Sequence, residues 1–127
     1  MNYVDGFVTA VPTTKREAFL KHASICAAVL KESGALTVVD CWGDDVPDGN
    51  LTSFRMAVKL EAGETVVFSW ITWPSKSVRH EGMKQFKADP RIQSDVNPDP
   101  RIQSDVNPMP FDGKRVIYGG FQVVSQV

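Results

Sequence analysis

Thr65–Trp73 reads TVVFSWITW, the most apolar run in the chain. It is dense in β-branched and aromatic residues, too short to cross a bilayer, and stopped by Pro74, so it reads as a strand buried on both faces. A strand of that kind lies centrally in a sheet. The flanking sequence must then supply neighbouring strands and the helices that cover them.

It does so on both sides. Ala35–Trp42 (ALTVVDCW) has strand chemistry and runs into the turn-forming cluster Gly43-Asp44-Asp45. Tyr3–Val11 (YVDGFVTAV) ends at Pro12 and reads as a first strand, with Tyr3, Asp5, Phe7 and Thr9 sharing one face. Between them, Thr14 and Glu17 have capping-box spacing, and Phe19, Ala23, Cys26 and Leu30 recur at helical spacing up to Gly34. Ser53–Leu60 carries Phe54, Ala57 and Val58 as the anchors of a short helix. Ser75 caps a second long helix to about Ala88, anchored by Val78, Met83 and Phe86 and weakened by Gly82. Arg115–Val124 (RVIYGGFQVV) is a last strand whose Gly119-Gly120 implies a bulge or a close backbone approach. The order is βαββαβ, an α+β ferredoxin-like arrangement with a four-stranded antiparallel sheet and both long helices on one face. The other face then has no cover, and with Phe68, Trp70 and Trp73 putting large rings into the central strand, a homodimer with sheet facing sheet is expected.

Composition bounds the function classes. A chain of 127 residues is one domain, and 43% hydrophobic with 23% charged residues is the balance of a globular protein. A net charge of -1 gives no field to attract a polyanion, which argues against a nucleic-acid partner. Neither a signal peptide nor a membrane span is legible, so the expected location is cytoplasmic with no membrane partner. Cys26 and Cys41 lack metal-ligand spacing and read as reduced, largely buried thiols.

Four stretches, MNYVDGFV, GDDVPDGNLTSF, ETVVFSWITWPS and MPFDGKRVIYGGF, together resemble the YbaA-like family of small bacterial proteins. The resemblance runs over nearly the whole chain and implies the dimeric α+β barrel superfamily, whose members include cofactor-free monooxygenases, lactone isomerases and stress-induced dimers. One feature departs from the family pattern. DPRIQSDVNP occurs twice without change across 89–108, where relatives have a single segment of this type. In each copy Asp can cap, Pro fits a first helical position and Asn-Pro stops the turn, so the unit is self-contained. Ten extra loop residues cost roughly 0.4 kcal/mol of closure entropy, which a fold carries easily. Two copies are too few for a repeat architecture, and the segment reads as a tandem duplication or an artefact in the loop before the last strand.

Candidate chemistry is sparse. His22 and His80 are the only histidines, one on each long helix, and His22 or Asp40 is the candidate general base. Charged and aromatic residues within strands form a second set: Asp5, Trp42, Trp70 and Tyr118 are the candidate ligand-binding residues, although Trp70 and Trp73 fall on opposite faces by parity. The plainer reading makes the aromatics core or interface. Asp44, Asp45 and Asp48 lack the alternation and distal Glu of a calcium loop and read as a solvated acidic turn, so no metal and no cofactor are expected. The function expected is a non-catalytic dimeric protein that binds a small molecule or serves in stress; the alternative is a cofactor-free monooxygenase-like or isomerase-like enzyme.

Overall fold

The computed structural model describes residues 2–93 and 109–127. Strands β1 (Tyr3–Pro12), β2 (Thr37–Trp42), β3 (Glu64–Trp73) and β4 (Ile117–Gln122) form a four-stranded sheet in the order β2-β3-β1-β4. Every neighbouring pair is antiparallel. The apolar run at 65–73 is central, as its composition requires.

Helices α1 (Arg16–Glu32) and α3 (Lys76–Ala88) cover one face of the sheet. Leu30 of α1 with Met83 and Phe86 of α3 packs on Tyr3, Ile71 and Trp73 at one end, while Phe19 and Ala23 of α1 pack with Phe111 on Val11, Val67 and Trp42 at the other. A third cluster lies on the opposite face, where Val58 and Leu60, following the short helix α2 (Phe54–Ala57), press on Val8, Ala10 and Val66. That cover is partial. Phe68 and Phe121 on this face remain 42% and 60% exposed, so β3 is buried on its helix side and only at one end of its other side. The expectation of burial on both faces is corrected accordingly.

Local chemistry explains most boundaries. Ser75 Oγ accepts from Val78 N at 3.2 Å and starts α3, and Ser53 Oγ accepts from Met56 N at 3.0 Å and starts α2. Gly34, at φ 112°, ends α1, with the Ala35 N–H reaching back to the Leu30 carbonyl at 3.0 Å. The Thr14–Glu17 capping box does not form. Lys15 occupies the cap with no side-chain bond, because Thr13 is tied to β3 by its N–H to the Gly63 carbonyl and by its hydroxyl to Thr65, and a 3-10 turn over Thr13–Lys15 leads into α1. The last strand begins at Ile117 rather than at 115, since Gly113–Arg115 form another 3-10 turn.

The glycines in two elements act through close approach. Across β1 and β4 the register is one-to-one, so Gly119-Gly120 make no bulge. A Cβ on Gly120 would lie 2.4 Å from the Tyr3 hydroxyl, because the Tyr3 ring rests on that backbone. Gly82, expected only to weaken α3, is buried directly over Trp73; its missing side chain is what lets the helix close on the indole. Within the duplicated region, the first copy supplies α4 (Pro90–Gln93), with Pro90 at its first position and Ile92 buried. Residues 94–108, including the whole second copy, lie outside the described residues.

Candidate functional site

Strand register sorts the candidates by face. Tyr118, Phe7, Ser69 and Asp40 form one transverse row across all four strands on the helix side, and Asp5 and Trp42 lie one row to either side of it. Four of the sequence candidates therefore share a face. Trp70, paired with Gly6, is on the other, where its ring meets Phe68 at 5.6 Å. The row runs between the two helix-side clusters. Tyr118, 77% exposed on the edge strand, stacks on Phe7, and Asp40 accepts a 2.6 Å hydrogen bond from the Ser69 hydroxyl.

Asp5 is 3% exposed, and its surroundings explain how a carboxylate is tolerated there. Trp73 Nε1–H donates to Oδ2 at 2.9 Å, Arg79 Nε donates to both oxygens at 3.1 and 3.0 Å, and Arg79 Nη2 donates to Oδ1 at 2.7 Å. The carboxylate in turn holds the Arg79 guanidinium more firmly protonated than an isolated one. Tyr3 lies beneath Arg79, its ring centre 5.4 Å from Cζ. An acid this fully engaged ties β1, β3 and α3 together and has no lone pair to spare for proton abstraction. Trp42 is similarly committed, packed by Phe19 and overlaid by Arg16.

The histidines do not meet. His22 sits on α1, edge-on to Phe111 at 5.5 Å, with Nε2 3.6 Å from Cys26 Sγ, whereas His80 is exposed on α3. Cys26 and Cys41 are half-buried rather than largely buried. Among the described residues no three His, Cys, Asp or Glu side chains stand together as a metal site. In the acidic turn Asp48 instead pairs with Arg55.

Sequence reasoning missed a cleft on the other side of the sheet. It has a volume of about 140 Å³, and Val46, Leu60 and Val66 line it together with Gly43, Asp44, Arg55 and Glu64. Three of the four sequence motifs reach this place. GDDVPDGNLTSF contributes Gly43 and Asp44, with Arg55 following directly, and ETVVFSWITWPS contributes Glu64 and Val66. MPFDGKRVIYGGF contributes Arg115, which braces Glu64 from behind with two parallel bonds of 2.7 Å. Arg115 also donates to Asp112 at 3.2 Å and to the Lys59 carbonyl at 3.1 Å, where Lys59 turns the chain at φ 50°. Bonds from Arg115 hold the Glu64 carboxyl below its usual range. Gly43 is required by the approach of the turn to β3, since a Cβ would fall 2.6 Å from the Val66 carbonyl oxygen. The available signal was the co-occurrence of an acidic turn, an arginine and an isolated MPFDGKR motif, but no periodicity links them.

These features define a small α+β protein whose antiparallel sheet is covered by helices on one face and by a short motif-built flap on part of the other. Residues 2–113 match the family described as a protein of unknown function, DUF1428, and the chain belongs to that family. It is 50% identical over 124 residues to the "Uncharacterized protein YbaA" of Escherichia coli strain K12, covering 98% of this chain and 97% of that protein. The same identity and coverage hold for the protein of that name from Shigella flexneri. The YbaA-like resemblance read from the four motifs is therefore correct. No helix among the described residues is long and apolar enough to cross a membrane.

Proposed function

We propose that this protein is a homodimer of ferredoxin-like subunits, packed sheet to sheet, that binds a small molecule without transforming it. The observation that carries the dimer is the uncovered sheet face, on which Phe68, Ile117 and Phe121 are exposed around the paired glycines Gly6 and Gly119. Read from its other edge, β4-β1-β3-β2 is the strand order a split βαβ chain produces, which supports the ferredoxin-like reading. Burying about 1,000 Å² of such a face is worth on the order of 25 kcal/mol before the cost of association, so the face favours self-association strongly.

Binding rather than catalysis is supported by the state of the enclosed acids. Asp5 is saturated by Trp73 and Arg79, and Glu64 by Arg115 and the Glu61 N–H, so neither is available as a base. Light scattering at micromolar concentration should report about twice the 14.0 kDa chain mass, and a stable monomer would overturn the dimer. A thermal-shift screen of small metabolites should return at least one binder by mass action, and a screen with no hit would remove the binding role. Turnover of any hit, abolished in Asp40→Asn or His22→Gln, would establish the enzyme alternative instead.

A further inference from the structure

Resting on the sheet-to-sheet dimer, we infer that the loop and short helix over 48–57 form an arm that grips the second copy of the chain, with Leu51 at its tip. The layers of the fold set the constraint. Val58 and Leu60 seat the flap on Val8, Ala10 and Val66, so α2 stands on the same face that the dimer must cover. Two packed sheets lie about 10 Å apart, and a helix with its side chains is about 10–12 Å across. The flap and an incoming sheet therefore need the same layer of space. The second copy must settle beside the flap, over the part of the face that holds Phe68, Trp70 and Phe121, with the flap as a wall at its end. A two-fold axis makes that contact twice, each flap against the other sheet.

The composition of the flap suits such a contact. Phe54 stands edge-on to Phe68 at 5.9 Å, and Phe68 meets Trp70 at 5.6 Å, so an aromatic run crosses from flap to sheet without a break. Phe54 and Met56 are half exposed, and Leu51 is 96% exposed. A single exposed leucine is ordinary on a protein surface, but this one is held out by a tied loop beside an open apolar face. Gly49 turns at φ 71°, where a Cβ would fall 2.2 Å from the Thr52 carbonyl oxygen. Arg55 pairs with Asp48 across the loop, and the Ser53 hydroxyl accepts from Met56 N. The loop is thus closed by polar contacts of its own, which leave Leu51 uncovered among the described residues. A loop ordered in advance also loses less entropy when its tip docks.

The test is sedimentation equilibrium of the full chain, of Leu51→Asp and, as a control, of Leu20→Asp, since Leu20 is also exposed but lies on α1, on the opposite side of the sheet. Leu51→Asp should raise the dimer dissociation constant by about tenfold or more, because it buries a carboxylate, and Leu20→Asp by less than about threefold. Hydrogen exchange of the parent gives a reading that needs no variant. Amides over 51–57 should exchange more slowly above the dissociation constant than below it. A dimer unchanged by Leu51→Asp, a dimer weakened equally by both substitutions, or exchange over 51–57 that is the same at both concentrations overturns the arm while the sheet-to-sheet dimer stands. A parent that stays monomeric at every concentration removes both.

Discussion

Replacing Gly82 by alanine separates two opposite expectations. In an ordinary exposed helix the change gains about 1 kcal/mol, because glycine is the poorer helix former. Here the new Cβ would lie 2.4 Å from Trp73 Cζ3, 2.8 Å from Cη2 and 2.7 Å from the Ser33 carbonyl oxygen. Carbon atoms pack at about 3.5–4.0 Å, so either α3 or the indole must retreat by about 1 Å. Neither yields easily: Trp73 is fully buried and bonded to Asp5, and the other obstacle is backbone. Overpacking of this kind costs about 3 kcal/mol at the upper end of its usual range, which leaves a net loss of about 2 kcal/mol after the helix gain. Urea denaturation at fixed protein concentration should show the midpoint falling with an unchanged slope, and melting should drop by about 7 °C. Trp73→Phe removes Cζ3 and Cη2, so in that background the glycine-to-alanine penalty should shrink, and the double-mutant cycle should give a coupling of about 1 kcal/mol or more. A Gly82→Ala protein as stable as the parent would refute the close-approach reading of α3.

Deleting Asp99–Pro108 leaves one intact DPRIQSDVNP with Ile92 in place, so the urea midpoint should move by no more than roughly 0.4 kcal/mol, and a loss above about 1.5 kcal/mol would assign the second copy a structural use. Gly120→Ala should displace the Tyr3 ring and its stacking under Arg79, lowering stability by about 1–2 kcal/mol, and near-UV circular dichroism should report the change; a silent substitution would contradict the packing. Asp89, hydrogen-bonded by Arg91, titrates at about 2 instead of 3.8. Its carboxyl is depressed in the folded state, so its contribution is present above about 3.8 and lost as pH falls toward 2; Asp89→Asn should flatten that part of the acid limb and leave a smaller difference than the parent's between unfolding midpoints at pH 5 and pH 2.

Much of this protein was readable in one dimension because the signals concerned are local or periodic. TVVFSWITW carries its own centrality, Ser75 and Ser53 cap their helices within three residues, and Gly34 terminates α1 by a torsional preference that needs no distant partner. Parity alone separated Trp70 from Trp73, and four motifs in order were sufficient for the family. Tertiary structure decided the rest, wherever the partner lies far along the chain. The Thr14 cap lost to Thr13's attachment to Gly63 and Thr65. Gly82 changed from a weak point to a contact because Trp73 lies beneath it, and Asp5 changed from candidate ligand group to clamp because Arg79, 74 residues later, closes over it. The cleft at Gly43 needs Asp44, Glu64 and Arg115 to converge from three separate motifs, and only the sheet register, which no local pattern encodes, brings them together.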